Sequence, residues 1–190
     1  MVDLTAARDR LIRAALRQDL YTVWPLPAGA GLLQDSLPAD LACNPAELER
    51  VLYYLVDRGQ VARHGAAAAL GRSTGPGLYR LTVAGIDRVE GDPRFGVERA
   101  RAVRMLRLRC LQALDLGRPR PMGLQLIGLA LSTDADLDLG EPSLRRALTY
   151  LAECALAAVT GDAWRITAAG IDYLNGDGDQ VVGIARPLGW

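Results

Sequence analysis

The sequence predicts a mainly helical α+β protein that contains the same unit twice. Residues 81–87 (Leu-Thr-Val-Ala-Gly-Ile-Asp) reappear as residues 166–172 (Ile-Thr-Ala-Ala-Gly-Ile-Asp), an offset of 85. Further upstream, the leucines, arginine and tyrosine of residues 48–55 match those of residues 144–151 at an offset of 96. Self-similarity of this kind marks a repeated structural unit. Each unit is predicted to hold three helices, a small two-stranded β-hairpin and a last helix.

The first unit is predicted to begin with a helix over about residues 5–17 and a short helix over residues 30–36. The third helix is the clearest, because its apolar residues recur at i, i+3, i+4, i+7 and i+8. They are Leu48, Val51, Leu52, Leu55 and Val56. Asn44 is a suitable N-cap and Glu47 can complete a capping box. Gly59 is expected to end this helix.

Two strands are predicted after the third helix, over residues 60–64 and 78–82. The change of offset from 96 to 85 means that the first unit carries 11 extra residues between these matches. They fall in residues 65–77, a stretch of Ala, Gly, Ser, Thr and Pro. An insertion confined to one point indicates a variable loop between two strands. Thr82 is predicted to start the last helix.

The second unit repeats this order. Helices are predicted over residues 97–116 and 123–131, followed by a third helix with an apolar face. That face consists of Leu144, Ala147, Leu148, Leu151 and Ala152. Strands over residues 155–160 and 163–167 pair across Gly161-Asp162, a dipeptide typical of tight hairpins.

The predicted domains follow from the breaker cluster Gly91-Asp92-Pro93. Domain 1 spans residues 1–91 and domain 2 spans residues 94–178. Residues 179–190 form a C-terminal tail that has no counterpart in the first copy.

Composition argues against several classes of function. The 22 basic residues, all arginine, balance 22 acidic ones, which disfavours a strongly basic DNA coat protein. The only histidine, His64, has no cysteine or second histidine nearby, and no nucleophile–base pair can be assembled. We therefore expect neither an enzyme nor a bound cofactor or metal.

Cysteine usage and hydropathy suggest a cytoplasmic protein. Cys43, Cys110 and Cys154 are far apart and odd in number, so neither a disulfide framework nor a zinc site is expected. No apolar run is long enough to cross a bilayer, and the first residues lack the pattern of a signal peptide.

The order of elements resembles the winged-helix family. The phrases that carry the resemblance are Arg-Gly-Gln-Val at residues 58–61 and Leu-Tyr-Arg-Leu-Thr-x-x-Gly at residues 78–85. They are typical of the hairpin "wing" and the helix after it, so the resemblance implies two tandem winged-helix domains. The second half, with Trp164-Arg165-Ile166-Thr167 and residues 183–187, is similar to small ArsR-like winged-helix proteins of Mu-like bacteriophages. The ArsR metal-sensing cysteine cluster is missing.

In a DNA-binding winged helix, the third helix enters the major groove and the wing touches the DNA backbone. The third helix of the first unit offers Arg50 and Arg58, but three acidic residues accompany them, which equally fits a solvated face or a protein contact. Its hairpin adds Arg63 and Arg72 as candidate phosphate contacts.

The third helix of the second unit suits DNA better. Arg145 and Arg146 lie near its start, beside the hydroxyl residues Ser143 and Thr149. Arginine and small hydroxyl side chains supply base and phosphate contacts. The alternative is an ordinary solvated helix face.

A further basic feature is the stretch of residues 94–120, whose eight arginines and two acidic residues give a net charge of +6. At 100° per residue these arginines scatter around the predicted helix, so some are expected to pair with acidic residues of the same protein.

The leading hypothesis is a phage-type or prophage-type protein that binds double-stranded DNA, in transcription regulation or in DNA handling. The alternative is a winged-helix protein–protein interaction module, favoured by zero net charge and an apolar tail at residues 181–184. A homodimer, a phage or host protein partner, and a structural role in the phage particle stay open.

Overall fold

The computed structural model describes residues 4–64 and 77–186. The chain divides into two compact units, Met1–Gly91 and Asp92–Trp190. Helices predominate in the described residues, and each unit holds one small three-stranded antiparallel sheet. The predicted mainly helical α+β class is thus confirmed.

The first unit alternates helices and short strands. Its elements are α1 (Leu4–Val23), β1 (Ala28–Gly29), α2 (Ala30–Ser36), a 3-10 turn (Ala39–Leu41), α3 (Pro45–Asp57), β2 (Val61–His64), β3 (Leu78–Leu81) and α4 (Val83–Glu90). The sheet order is β1-β3-β2, so the hairpin strand β3 lies in the middle.

The second unit has the same element order. After a 3-10 turn (Pro93–Phe95) its elements are α5 (Val97–Leu116), β4 (Met122–Gly123), α6 (Leu124–Ala130), α7 (Glu141–Glu153), β5 (Ala157–Thr160), β6 (Ala163–Ile166) and α8 (Ala168–Asn175). The sheet order is β4-β6-β5. Thr160 pairs with Ala163, so Gly161-Asp162 forms the predicted two-residue turn.

The sequence-based prediction was wrong on two points. Helix α1 runs to Val23 rather than to about residue 17, because Ile12, Leu16 and Leu20 continue one buried face at four-residue spacing. Each sheet also has a third strand, β1 or β4, where only a hairpin was predicted. These strands are two residues long, too short to show the alternating pattern from which strands are predicted.

The third helix of each unit supports the core. In α3 the residues Leu48, Val51, Leu52 and Leu55 are buried, and in α7 they are Leu144, Ala147, Leu148 and Leu151. The predicted capping box is confirmed: Glu47 N–H donates to Asn44 Oδ1 at 2.9 Å, and Asn44 N–H donates to Glu47 Oε2 at 3.1 Å. The opposite faces of α3 and α7 are thereby presented outward on rigid helices.

The repeated Thr-x-x-Gly motif has a structural role. The hydroxyl oxygen of Thr82 accepts a hydrogen bond from Gly85 N–H at 3.2 Å, and Thr167 does the same for Gly170 at 3.1 Å. A Cβ on Gly85 would overlap the carbonyl oxygen of Gln60, so only glycine fits there. The Thr-x-x-Gly motif is thus repeated because it allows the last helix of each unit to pack closely on the hairpin.

Candidate nucleic-acid interface

The outward face of α7 carries Arg145, the most exposed of the predicted DNA-binding residues on this helix. Its guanidinium donates to Glu141 Oε1 at 2.9 Å, one helical turn earlier, and the two side chains are 52% and 67% exposed. Arg146 follows it and is half-buried. An exposed ion pair of this kind contributes only about 0.3–0.5 kcal/mol. Arg145 is therefore held loosely enough to exchange its carboxylate partner for a phosphate.

The two hydroxyl groups of the predicted site are engaged within α7 and the loop before it. Ser143 Oγ donates to Asp138 Oδ2 at 2.5 Å, and Thr149 Oγ1 donates to the carbonyl oxygen of Arg145 at 2.8 Å. Hydrogen bonds from Ser143, and then from Gly140 N–H, lower the pKa of Asp138. Ser143 therefore helps to order the start of α7, and both hydroxyls would have to give up a bond to contact DNA.

The outward face of α3 is more acidic than that of α7. Arg50 donates to Asp9 Oδ1 at 2.9 Å, and Arg58 lies exposed at the C-terminal end of the helix. Glu49 and Arg50 occupy the positions of Arg145 and Arg146. Hence the first unit has one carboxylate where the second has a guanidinium.

The hairpin of the first unit contributes Arg63, which lies in β2 opposite Tyr79 and is half-buried. The predicted contact Arg72 lies outside the described residues. The same is true of the tail end, residues 187–190. The structure therefore brings together Arg145 and Arg146 on one helix, and Arg50, Arg58 and Arg63 on the other unit.

Some arginines of the basic stretch of residues 94–120 pair with acidic residues of the same chain, as predicted. Its ion pairs are Arg94 to Asp92 at 2.9 Å, Arg109 to Asp134 at 3.3 Å, and Arg118 to Asp115 at 2.8 Å. The hydrogen bond from Arg94 to Asp92 raises the pKa of that guanidinium. Arg107 is buried, with 3% of its surface exposed. These ion pairs and the burial of Arg107 reduce the free positive charge of the stretch, while Arg101 and Arg120 stay exposed.

Helix α1 carries a row of arginines that was not among the predicted site residues. Arg10, Arg13 and Arg17 recur at i, i+3 and i+7, and the guanidinium of Arg13 lies 4.2 Å from the ring centroid of Tyr54 on α3. The spacing was visible in the sequence, but the partner tyrosine lies 41 residues further on. Only the packing of α1 against α3 brings the two together.

Within residues 4–64 and 77–186, no three His, Cys, Asp or Glu side chains are grouped so as to hold a metal ion. None of the helices in that part of the chain combines the length and the apolarity that a membrane span requires.

Comparisons of the chain with protein-family models, with curated proteins and with solved structures each return no match.

Proposed function

We propose that each unit is a winged-helix domain and that the chain binds double-stranded DNA. The support is the element order, with three helices and a hairpin whose last strand lies between its partner and a short strand before the second helix. In this arrangement the third helix is the one that enters the major groove. That helix is α3 in the first unit and α7 in the second.

Arg145 on α7 is the observation that carries the proposal. It is exposed on a helix whose opposite face is buried, and its ion-pair partner is the solvent-exposed Glu141. Arg146 adds a second guanidinium at the next position. A rigid helix that holds arginine in this way limits the entropy lost when phosphate or guanine is bound. The second unit is thus the main DNA-binding unit, and Arg50 and Arg58 add weaker contacts from the first.

The proposed setting is the cytoplasm of a bacterial host, where a phage-type or prophage-type protein would regulate transcription or handle phage DNA. It rests on the sequence resemblance described above. Two domains on one chain would act as a built-in pseudo-dimer.

The test is fluorescence anisotropy with random-sequence duplex DNA at low and at physiological salt. We expect binding that weakens steeply with salt, since each phosphate contact contributes about −0.9 to the slope of log K against log salt. Arg145→Ala with Arg146→Ala should make that slope less negative by about 2. On a specific site the double variant should lose about 2–6 kcal/mol, at roughly 1–3 kcal/mol per base contact.

The matched control is Arg10→Ala with Arg88→Ala, which removes two exposed arginines from the first unit and changes net charge equally. Affinity for DNA should survive in this control. If both double variants lose the same DNA affinity, the loss reflects net charge alone. If the variant without Arg145 and Arg146 keeps its DNA affinity, these residues do not form the DNA-binding site. If the protein does not bind duplex DNA even at low salt, the proposed DNA-binding function is wrong.

The alternative is an interaction module, and one observation on the first unit favours it. Tyr53 of α3 is 67% exposed on the face where the second unit has Thr149. Exposed tyrosine is enriched where proteins contact one another. If DNA is not bound, this face becomes the first candidate for a protein contact.

A further inference from the structure

An arginine stacks on a tyrosine at the same place in both units. The guanidinium of Arg13 lies 4.2 Å from the ring centroid of Tyr54, and that of Arg107 lies 3.7 Å from the ring of Tyr150. The arginines are related by an offset of 94, which also relates β1 to β4, and the tyrosines by the offset of 96 that relates α3 to α7. The pair is therefore part of the repeat.

In the second unit, residues 181–186, which we call the tail segment, cover this pair. Arg107 donates to the carbonyl oxygen of Gly183 at 2.8 Å, and the hydroxyl of Tyr173 donates to that of Ala185 at 3.2 Å. Ile184 is buried, with 3% of its surface exposed. Ile184 N–H donates to the carbonyl oxygen of Val181 at 3.2 Å, so the tail segment forms a turn. The face formed by α5, α7 and α8 is thus a binding site for a short peptide segment, and the chain fills it with its own tail.

The same face of the first unit is open. Tyr54 is 42% exposed, whereas Tyr150 is fully buried. The first unit ends at Gly91, directly after α4, and so contains no segment equivalent to the tail segment. We call this surface, formed by α1, the end of α3 and α4, the open face.

The open face is more positively charged than its covered counterpart. Arg88 occupies the position of Tyr173, and Arg58 occupies that of Cys154. Both arginines are exposed, and neither makes an ion pair with any residue in the described part of the chain. Arg10, also exposed, lies one turn before the stacked arginine on α1, and its counterpart Arg104 carries the same charge on the covered face.

We propose that the open face binds a short acidic peptide segment of another protein, in the manner of the tail segment. An aliphatic side chain would be buried on the open face, as Ile184 is buried in the second unit. A backbone carbonyl would accept from Arg13, and an acidic side chain would pair with Arg88 or Arg58. The proposal does not depend on DNA binding, whose main contacts are assigned to Arg145 and Arg146 of α7. Arg58 is the residue that the two proposals share.

The tail of a second copy fits the open face less well. In the second unit Arg186 lies close enough to Tyr173 to oppose the rise that burial causes in the tyrosine's pKa. On the open face the same arginine would meet Arg88, a like charge. A tail held within its own chain also has the advantage of a high effective concentration over exchange between copies.

The test uses the full chain and two fluorescent peptides. One carries residues 177–186 of this protein, and the other carries the same residues with Arg186→Glu. We expect the acidic peptide to bind about fivefold more tightly, because one exposed like-charge contact becomes an ion pair. The difference should disappear at high salt.

Substitutions of exposed or half-buried arginines in the protein test the proposal further, and they are not expected to unfold it. Arg88→Glu lies on the surface and should reverse the preference, so that the unaltered peptide binds more tightly. Arg13→Ala should abolish binding of both peptides, and Arg145→Ala with Arg146→Ala should leave it unchanged. Arg13→Ala also distinguishes the open face from exchange with the tail on the second unit.

Three outcomes would overturn the proposal. The first is no binding of either peptide at the highest soluble concentration. The second is peptide binding whose affinity is unchanged by Arg13→Ala and by Arg88→Glu. The third is displacement of the peptide by duplex DNA through the same two arginines, which would make nucleic acid the occupant.

Discussion

The substitution Gly85→Ala tests whether the repeated Thr-x-x-Gly motif needs glycine for close packing of α4 on the hairpin. An added Cβ would overlap the carbonyl oxygen of Gln60 and would lie 2.7 Å from Leu81 Cδ2. Because that oxygen also accepts from Thr82 N–H at 3.2 Å, it cannot turn away without breaking a second contact. We therefore expect Gly85→Ala to force α4 away from the hairpin.

The magnitude follows from two opposing effects. Overpacking costs about 1–3 kcal/mol, and a rigid backbone neighbour favours the upper end. Alanine in place of glycine within a helix returns about 1 kcal/mol. The net loss is about 2 kcal/mol, which lowers the Tm of a unit of this size by roughly 10 °C.

Circular dichroism and differential scanning calorimetry measure this loss in the full chain. Gly31→Ala is the matched control, because it also lies in a helix but has no neighbour within 4 Å of the added Cβ. It should gain up to about 1 kcal/mol. A Gly85→Ala protein that unfolds at or above the wild-type temperature would refute the packing argument.

Three further predictions concern the fold. Ala155 has a φ of 59°, and Gly59 has a φ of 64° at the equivalent position of the first unit. Ala155→Gly should therefore stabilise the second unit by about 1 kcal/mol, and Gly59→Ala should destabilise the first unit by about the same amount. Urea unfolding measures both changes. Ile184→Asp should release the tail segment and cost about 1–3 kcal/mol, detected as faster amide hydrogen exchange in that segment. Unaltered exchange would argue against burial of the tail segment on the second unit. The pKa of Asp138 is lowered in the fold, so its contribution to stability is present above the ordinary carboxyl pKa and is lost as pH falls through the lowered value. Ser143→Ala should raise that pKa in an NMR titration, and an unshifted carboxyl would contradict the assigned hydrogen bond.

Local chemistry made much of the fold predictable. The capping box of Asn44 and Glu47, the helical spacing in α3 and α7, and the Gly161-Asp162 turn each depend on residues within a few positions of one another. Such short-range interactions are written directly in the sequence. By contrast, β1 and β4 exist only because β3 and β6 have free edges to pair with, which no local pattern reveals.

The candidate site was predictable only in part. The sequence named Arg145 and Arg146, and both lie on α7. It did not reveal that Ser143 is bound to Asp138, or that Arg50 is bound to Asp9 from a helix 41 residues earlier. Whether an arginine is available to a ligand depends on which carboxylates the fold brings within reach.

By itself the sequence determined the duplicated units, the order of their main elements and the residues of their apolar faces. These features follow from the periodicity of apolar residues and from the internal repeat, which can both be recognised from the sequence alone. The tertiary structure alone decided that the tail segment covers Arg107 and Tyr150 while Arg13 and Tyr54 stay open. The two pairs have the same residue types, and the difference arises because the chain returns across one unit and leaves the other.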